Sequence, residues 1–167
     1  MTSTRTPIRT LQERPPRTLV RKTIITLVAS AGVLVAPLPA SAGTLQNAAP
    51  TVTAQVAVRT AIGQVGKPYR WGGAGPGSYD CSGLTMRAYA AAGRRLPHSA
   101  RGQSAIGRRV SRADLRPGDL LFYYRPVSHV AMYIGNGRIV HASSYAHPVY
   151  VTSLAAMPGF AWATRVT

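Results

Sequence analysis

The sequence predicts an α+β fold, with helices first and an antiparallel sheet after them. Three observations carry that prediction. Apolar residues recur at helical spacing near residues 54–65; an alanine-rich stretch follows Asp80; and after Pro117-Gly118 the chain breaks into short β-branched or aromatic runs divided by turn residues. A chain of 167 residues allows one domain of ordinary size.

Val56, Ile62 and Val65, with Ala57 and Ala61, predict the first helix over 54–65, and Gly66-Lys67-Pro68 ends it. Residues 72–77, Gly-Gly-Ala-Gly-Pro-Gly, form a tight loop that lacks the Lys-Ser/Thr ending of a phosphate cradle. Asp80 is a favoured N-cap, the sequence from Cys81 to Ala92 propagates a helix, and Gly93 suits its C-terminal end. Cys81 therefore opens a helix. Arg94 to Arg116 is mixed and reads as a loop with a short helical turn. Strands are expected at Asp119–Tyr124, His129–Ile134, Arg138–Ala142, Val149–Thr152 and Trp162–Val166, five or six in all. Gly135-Asn136-Gly137 is a hairpin signal.

The first 42 residues read as an address rather than part of this fold. Arg5, Arg9, Arg14, Arg17, Arg21 and Lys22 precede a 13-residue apolar run, Ile24 to Ala36, and Ala40-Ser41-Ala42 supplies a cleavage site. The expectation is a secretory signal peptide at 1–42, a short flexible lead at 43–53 and the domain at 54–167. The apolar run falls short of the about 20 residues a spanning helix needs, so no stable membrane anchor is expected. Any wall targeting would then come from the domain itself. Residues 43–167 hold 14 Lys+Arg against three Asp, a net +11. For an exported protein this favours anionic cell-wall polymers as a partner and makes nucleic acid a poor one. Hydrophobic content of 46% excludes wholesale disorder, and the single cysteine excludes both a disulfide scaffold and a zinc site built on paired cysteines.

A lone cysteine in an exported chain asks for a reason. At a helix N-terminus its thiol meets partial positive charge, which predicts a depressed pKa and alkylation well below pH 8. His129 opens an expected core strand and His141 lies on the next. They share a face only if residues paired across the hairpin have an even number-sum. A three-residue loop at 135–137, pairing 134 with 138, meets that condition, whereas a two-residue loop at 136–137 would separate them. Brought together, one histidine serves as base to Cys81 and the other orients it. A metal site of Cys81, His129 and His141 lacks short-spaced ligands, and no metal or cofactor is expected. His98 and His147 sit beside prolines and read as surface residues.

Six ordered motifs then carry a resemblance: Lys67-Pro68-Tyr69-Arg70-Trp71-Gly72-Gly73, Asp80-Cys81-Ser82-Gly83-Leu84, Leu96-Pro97-His98-Ser99, Arg116-Pro117-Gly118-Asp119-Leu120-Leu121-Phe122, Ser128-His129-Val130-Ala131-Met132-Tyr133-Ile134-Gly135 and Gly137-Arg138-Ile139-Val140-His141-Ala142. Over about residues 54–167 the chain resembles the catalytic domain of NlpC-type cell-wall cysteine peptidases, compact papain-like enzymes that cut peptidoglycan stem peptides. The Cys-Gly-Ser/Ala-Cys signature of true papains is absent, so that wider kinship is one of architecture and triad. The resemblance implies Cys81 as nucleophile, His129 as general base, His141 as the residue orienting it, and Tyr69 near the oxyanion. Asp80 and Ser82 match positions linked to recognition of the substrate's free amine, while position 98, usually arginine or histidine, receives no catalytic role. The implied activity is a secreted, wall-associated, monomeric cysteine endopeptidase cutting the bond between D-γ-glutamate and the diamino acid. An amidase or acyltransferase of the same clan, or a non-catalytic basic wall-binding module, are the alternatives.

Overall fold

A computed structural model describes residues 50–167. The expected signal peptide and most of the lead lie outside the described residues. Helix α1 spans Val52–Ile62, α2 Cys81–Ala91 and the short α3 Ala100–Gln103. Six strands follow: β1 Arg108–Val110, β2 Leu120–Tyr123, β3 His129–Gly135, β4 Arg138–His141, β5 Tyr150–Ser153 and β6 Phe160–Arg165. All neighbours pair antiparallel in the order β1-β6-β2-β3-β4-β5. Among the described residues no helix is long and apolar enough to cross a membrane.

The helices start where the sequence has hydroxyl or carboxylate caps. Thr51 Oγ1 accepts from Ala54 N at 3.2 Å, and an Asp80 carboxylate oxygen accepts from Gly83 N at 2.7 Å. α1 begins two residues before its expected start because Thr51 supplies that cap. α2 ends in a Schellman arrangement: Gly93 has φ +76°, its N–H donates to Ala90 O, and Arg94 N–H donates to Tyr89 O. Small Ala57 and Ala61 on α1 are fully buried, which lets α1 lie close on α2.

α2 buries Leu84, Ala88 and Tyr89 against one sheet face, where Phe122, Val130, Met132 and Val140 meet them. The other face carries Leu121, Ala131, Ile139 and Ala163, covered by Leu154 and Met157. β2 and the first half of β3 are thus buried on both sides and read as continuous apolar runs. β1 escapes a propensity reading because two of its three residues are arginines. It is the sheet edge beside β6, where exposed charge protects against further strand pairing.

The β3–β4 hairpin departs from the expected turn. Gly135 pairs with Arg138 around a two-residue turn, Asn136 (φ +52°) and Gly137 (φ +66°), both in the left-handed region that such a turn requires. On the loop rule alone this would put His129 and His141 on opposite faces. A bulge between Tyr133 and Gly135 then shifts the register, so that Tyr133 pairs with Ile139 and Met132 with Val140. The number-sum becomes even below the bulge. The two histidines share a face because of an extra residue in β3, not because of a longer loop.

Candidate active site

Cys81 is the first residue of α2, and its half-buried sulfur lies within hydrogen-bonding reach of the Val130 backbone N–H, one residue beyond His129. That contact brings the helix start and the start of β3 together. His129 Nε2 lies 3.0 Å from His141 Nδ1, with the two rings edge to face. His129 Nε2 is committed to this bond, which leaves Nδ1 as the ring nitrogen free to take a proton. Both rings are buried, and His141 packs on the Tyr150 ring at a centroid distance of 4.5 Å. Its own Nε2 is buried without a partner among the described residues.

The electrostatics differ from the sequence expectation. Burial pushes the Cys81 thiol up, and the nearby Asp80 charge adds to it; N–H groups of Val130, Ser82 and Cys81 pull the other way without prevailing. Burial, then His141, holds His129 down to about 3, and burial, then His147, holds His141 down to about 4. At neutral pH the pair is therefore thiol and neutral imidazole. The expected depressed thiol is corrected: a helix N-terminus lowers a thiol pKa through partial charge, but removing the sulfur from water opposes ionisation more strongly here.

Tyr69 is half-buried, with its phenol pushed up by burial and by the charges of Cys81, Asp80 and Tyr145, which places it within electrostatic reach of the thiol. The Tyr145 ring sits edge-on to it at 5.0 Å, and Tyr145 Oη accepts from Trp71 N at 3.4 Å.

Asp80 does more than cap α2. One oxygen accepts from Gly83 N (2.7 Å) and Ser82 Oγ (3.1 Å), the other from Gly72 N (2.8 Å), and His98 Nε2 lies 3.0 Å from both. Reading His98 as a surface residue missed this: its side chain keeps 31% exposure but stands over the Asp80 carboxylate. The pair is separated by the whole of α2, so no local spacing signals it. A groove of about 330 Å³ runs past these groups, lined by Trp71, Asp80, Cys81, Ser82, His98 and Val127 among others. Trp71 and Tyr145, each more than three-quarters exposed, are further residues beside the site that sequence reasoning did not single out. His147 lies outside the groove, against Tyr150 and Ser144. Among the described residues no three His, Cys, Asp or Glu side chains gather as metal ligands.

A buried histidine pair beside a helix-opening cysteine, on helices packed over an antiparallel sheet, defines a papain-like architecture. The sequence profile of the NlpC/P60 family matches residues 66–165, and the chain belongs to that family. A probable endopeptidase of Mycobacterium tuberculosis is 50% identical over 97 residues, which are 58% of this chain and 25% of that protein. A probable endopeptidase of Corynebacterium glutamicum is 38% identical over 123 residues, 74% of this chain and 58% of that one. The chain thus spans about a quarter of the mycobacterial relative. Among solved structures, an NlpC/P60 family protein from Bacillus cereus superposes with TM-score 0.65 at 34% identity, covering 72% of this chain and 42% of that one. The peptidoglycan hydrolase RipB from M. tuberculosis gives 0.63 at 33%, covering 68% and 64%. These neighbours share the helices-then-antiparallel-sheet class.

Proposed function

We propose that this protein is a secreted cysteine endopeptidase that hydrolyses peptidoglycan stem peptides at the D-γ-glutamyl–diamino acid bond. The observation that carries the reading is the placing of Cys81 against the start of β3, beside the His129–His141 pair. The NlpC/P60 membership, the relatives' description as probable endopeptidases and the likeness to a peptidoglycan hydrolase support the substrate class.

In this mechanism the Cys81 sulfur attacks the γ-carbonyl while its proton passes to His129 Nδ1. Thiol and imidazole both start neutral, so charge separates only as the carbon–sulfur bond forms. The resulting imidazolium donates from Nε2 to His141 Nδ1, and the low pKa of His141 keeps that nitrogen an acceptor at neutral pH. The Cys81 backbone N–H and the Tyr69 hydroxyl are the donors for the oxyanion. His129 returns the proton to the departing amine, leaving a thioester. Water, deprotonated by the same nitrogen, then releases the γ-carboxylate and restores the thiol. Ser82 and Asp80 form the groove wall beside the nucleophile. The amino-terminal address, cut after Ala42, would deliver the domain to the wall.

Digesting purified muropeptides and identifying the fragments by mass spectrometry tests this reading. Fragments ending in D-glutamate, together with new diamino acid amines, are expected from the wild type and not from Cys81→Ala. Wild-type cleavage at the glycan–peptide amide instead would replace it with an amidase.

A further inference from the structure

We propose that the face formed by Arg109 and Arg125 around Trp162 binds a phosphodiester polyanion, independently of the chemistry at Cys81. The Arg109 and Arg125 guanidinium carbons lie 4.1 and 5.5 Å from the centre of the same Trp162 ring, which holds them closer together than about 10 Å, the Debye length at 0.1 M salt. Arg112, over Phe160 at 5.5 Å, belongs to the opposite sheet face, because the β6 register shifts between Trp162 and Phe160. Stacking on aromatic rings fixes the planes of these guanidinium groups without using their N–H donors.

No carboxylate competes for them. The described residues contain three acids. Asp80 is held by His98, Asp119 by Arg165 Nε and Nη2 at 2.8 Å each, and the Asp114 carboxylate accepts from Ser111 Oγ at 2.7 Å. Neither Arg109 nor Arg125 makes an ion pair among the described residues, and both are exposed. Like charges gathered this closely cost free energy unless an anion joins them, so the arrangement is explained by a ligand that brings charge at repeated short intervals. A phosphate diester offers two non-bridging oxygens per charge, which suits the guanidinium fork. A bilayer suits the face poorly, because Tyr124 is the only large apolar side chain exposed in sequence next to these arginines. Arg125 also stands in the β2–β3 loop whose Val127 and Ser128 line the Cys81 groove, so a polymer bound here would run beside the site.

The test measures binding of the full chain to poly(glycerol phosphate) of defined length across a salt series. Poly-glutamate of equal charge and phosphatidylglycerol vesicles are the comparators. Arg109→Gln/Arg125→Gln should weaken binding about 25-fold at low salt, fivefold for each arginine. It should also flatten the slope of log affinity against log salt by about 1.4. Hydrolysis of a small soluble stem peptide should not change, which confirms a folded variant. Arg109→Lys/Arg125→Lys, keeping charge but losing the fork, should fall between. Three results would overturn the proposal: an equal loss in the control Arg59→Gln/Arg87→Gln, equal affinity for poly-glutamate, or tighter binding to the vesicles.

Discussion

His129 Nε2 and His141 Nδ1 stand 3.0 Å apart, and a β-bulge one strand-turn away is what lets them meet. In the proposed mechanism His141 acts only by accepting from His129, so an acceptor of similar reach should replace it. His141→Asn should keep turnover within about tenfold of wild type, whereas His141→Ala should lose about 10- to 150-fold, the worth of a buried hydrogen bond to a charged group. Both losses should fall on kcat rather than KM, measured on a soluble stem peptide. Cys81→Ala and His129→Ala should abolish turnover with the fold intact by circular dichroism.

What could be read from the sequence divides along a physical line. α2 and the place of Cys81 at its start were legible because capping and propensity are local: Asp80 begins the helix and Gly93 ends it. β1 was not, because its arginines are chosen for an edge and not for burial. The bulge that aligns the histidines leaves no local mark beyond glycine content. His98 reaches Asp80 across α2, a contact made by tertiary packing. The sign of the Cys81 shift depended on burial, which no local pattern states.

The thiol of the free enzyme should therefore react slowly. With its pKa raised by burial, Cys81 should show an iodoacetamide alkylation rate that climbs through and above pH 9, with no plateau below pH 8. Rates followed by intact-mass spectrometry from pH 6 to 10 check this. A plateau near neutrality would mean a thiolate already formed at rest and would overturn the neutral-pair mechanism.

The same histidines make the fold acid-sensitive. Their folded pKa values, about 3 and about 4, lie below the unfolded value near 6.5, so between those limits the unfolded chain binds more protons. Their contribution to stability is full above about pH 6.5 and is lost as pH falls toward 4. Each histidine adds at most about 1.4 kcal/mol per pH unit in that window. Urea unfolding at pH 7, 5.5 and 4.5 should show the fall, and His129→Gln/His141→Gln should flatten it. Equal slopes would place the sensitivity elsewhere.

Gly83 should refuse alanine despite lying in a helix. An added Cβ would overlap the Gly73 carbonyl oxygen, which accepts from Asp80 N at 2.8 Å, and would sit 2.9 Å from His98 Nε2. In an open helix Gly→Ala stabilises by about 1 kcal/mol. Here the expected effect is a loss of about 1–3 kcal/mol, with reduced turnover as the 72–75 loop moves off Asp80. Urea titration and steady-state kinetics of Gly83→Ala check both halves.

Under the proposed function, the Asp80 carboxylate is the group that would decide whether stem peptides with a free amine are favoured. A carboxylate offers about four lone-pair sites, and Gly72 N, Gly83 N, Ser82 Oγ and His98 Nε2 already supply four donors. Three of these hold the loop and the helix start in place. Only His98, on a partly exposed side chain, is free to leave, so a substrate ammonium must displace it to reach Asp80. Wild type should then discriminate little between a free and an N-acetylated stem peptide. Removing the competitor should reveal the site: His98→Ala should raise the kcat/KM ratio of free to acetylated peptide by about 10- to 150-fold, the strength of a charge-assisted hydrogen bond. Adding Asp80→Asn should return the ratio to its starting value, because the amide keeps most of the cap but loses the charge. A wild-type ratio already above a hundred would show that His98 does not compete, and that the amine reaches Asp80 with the pair in place.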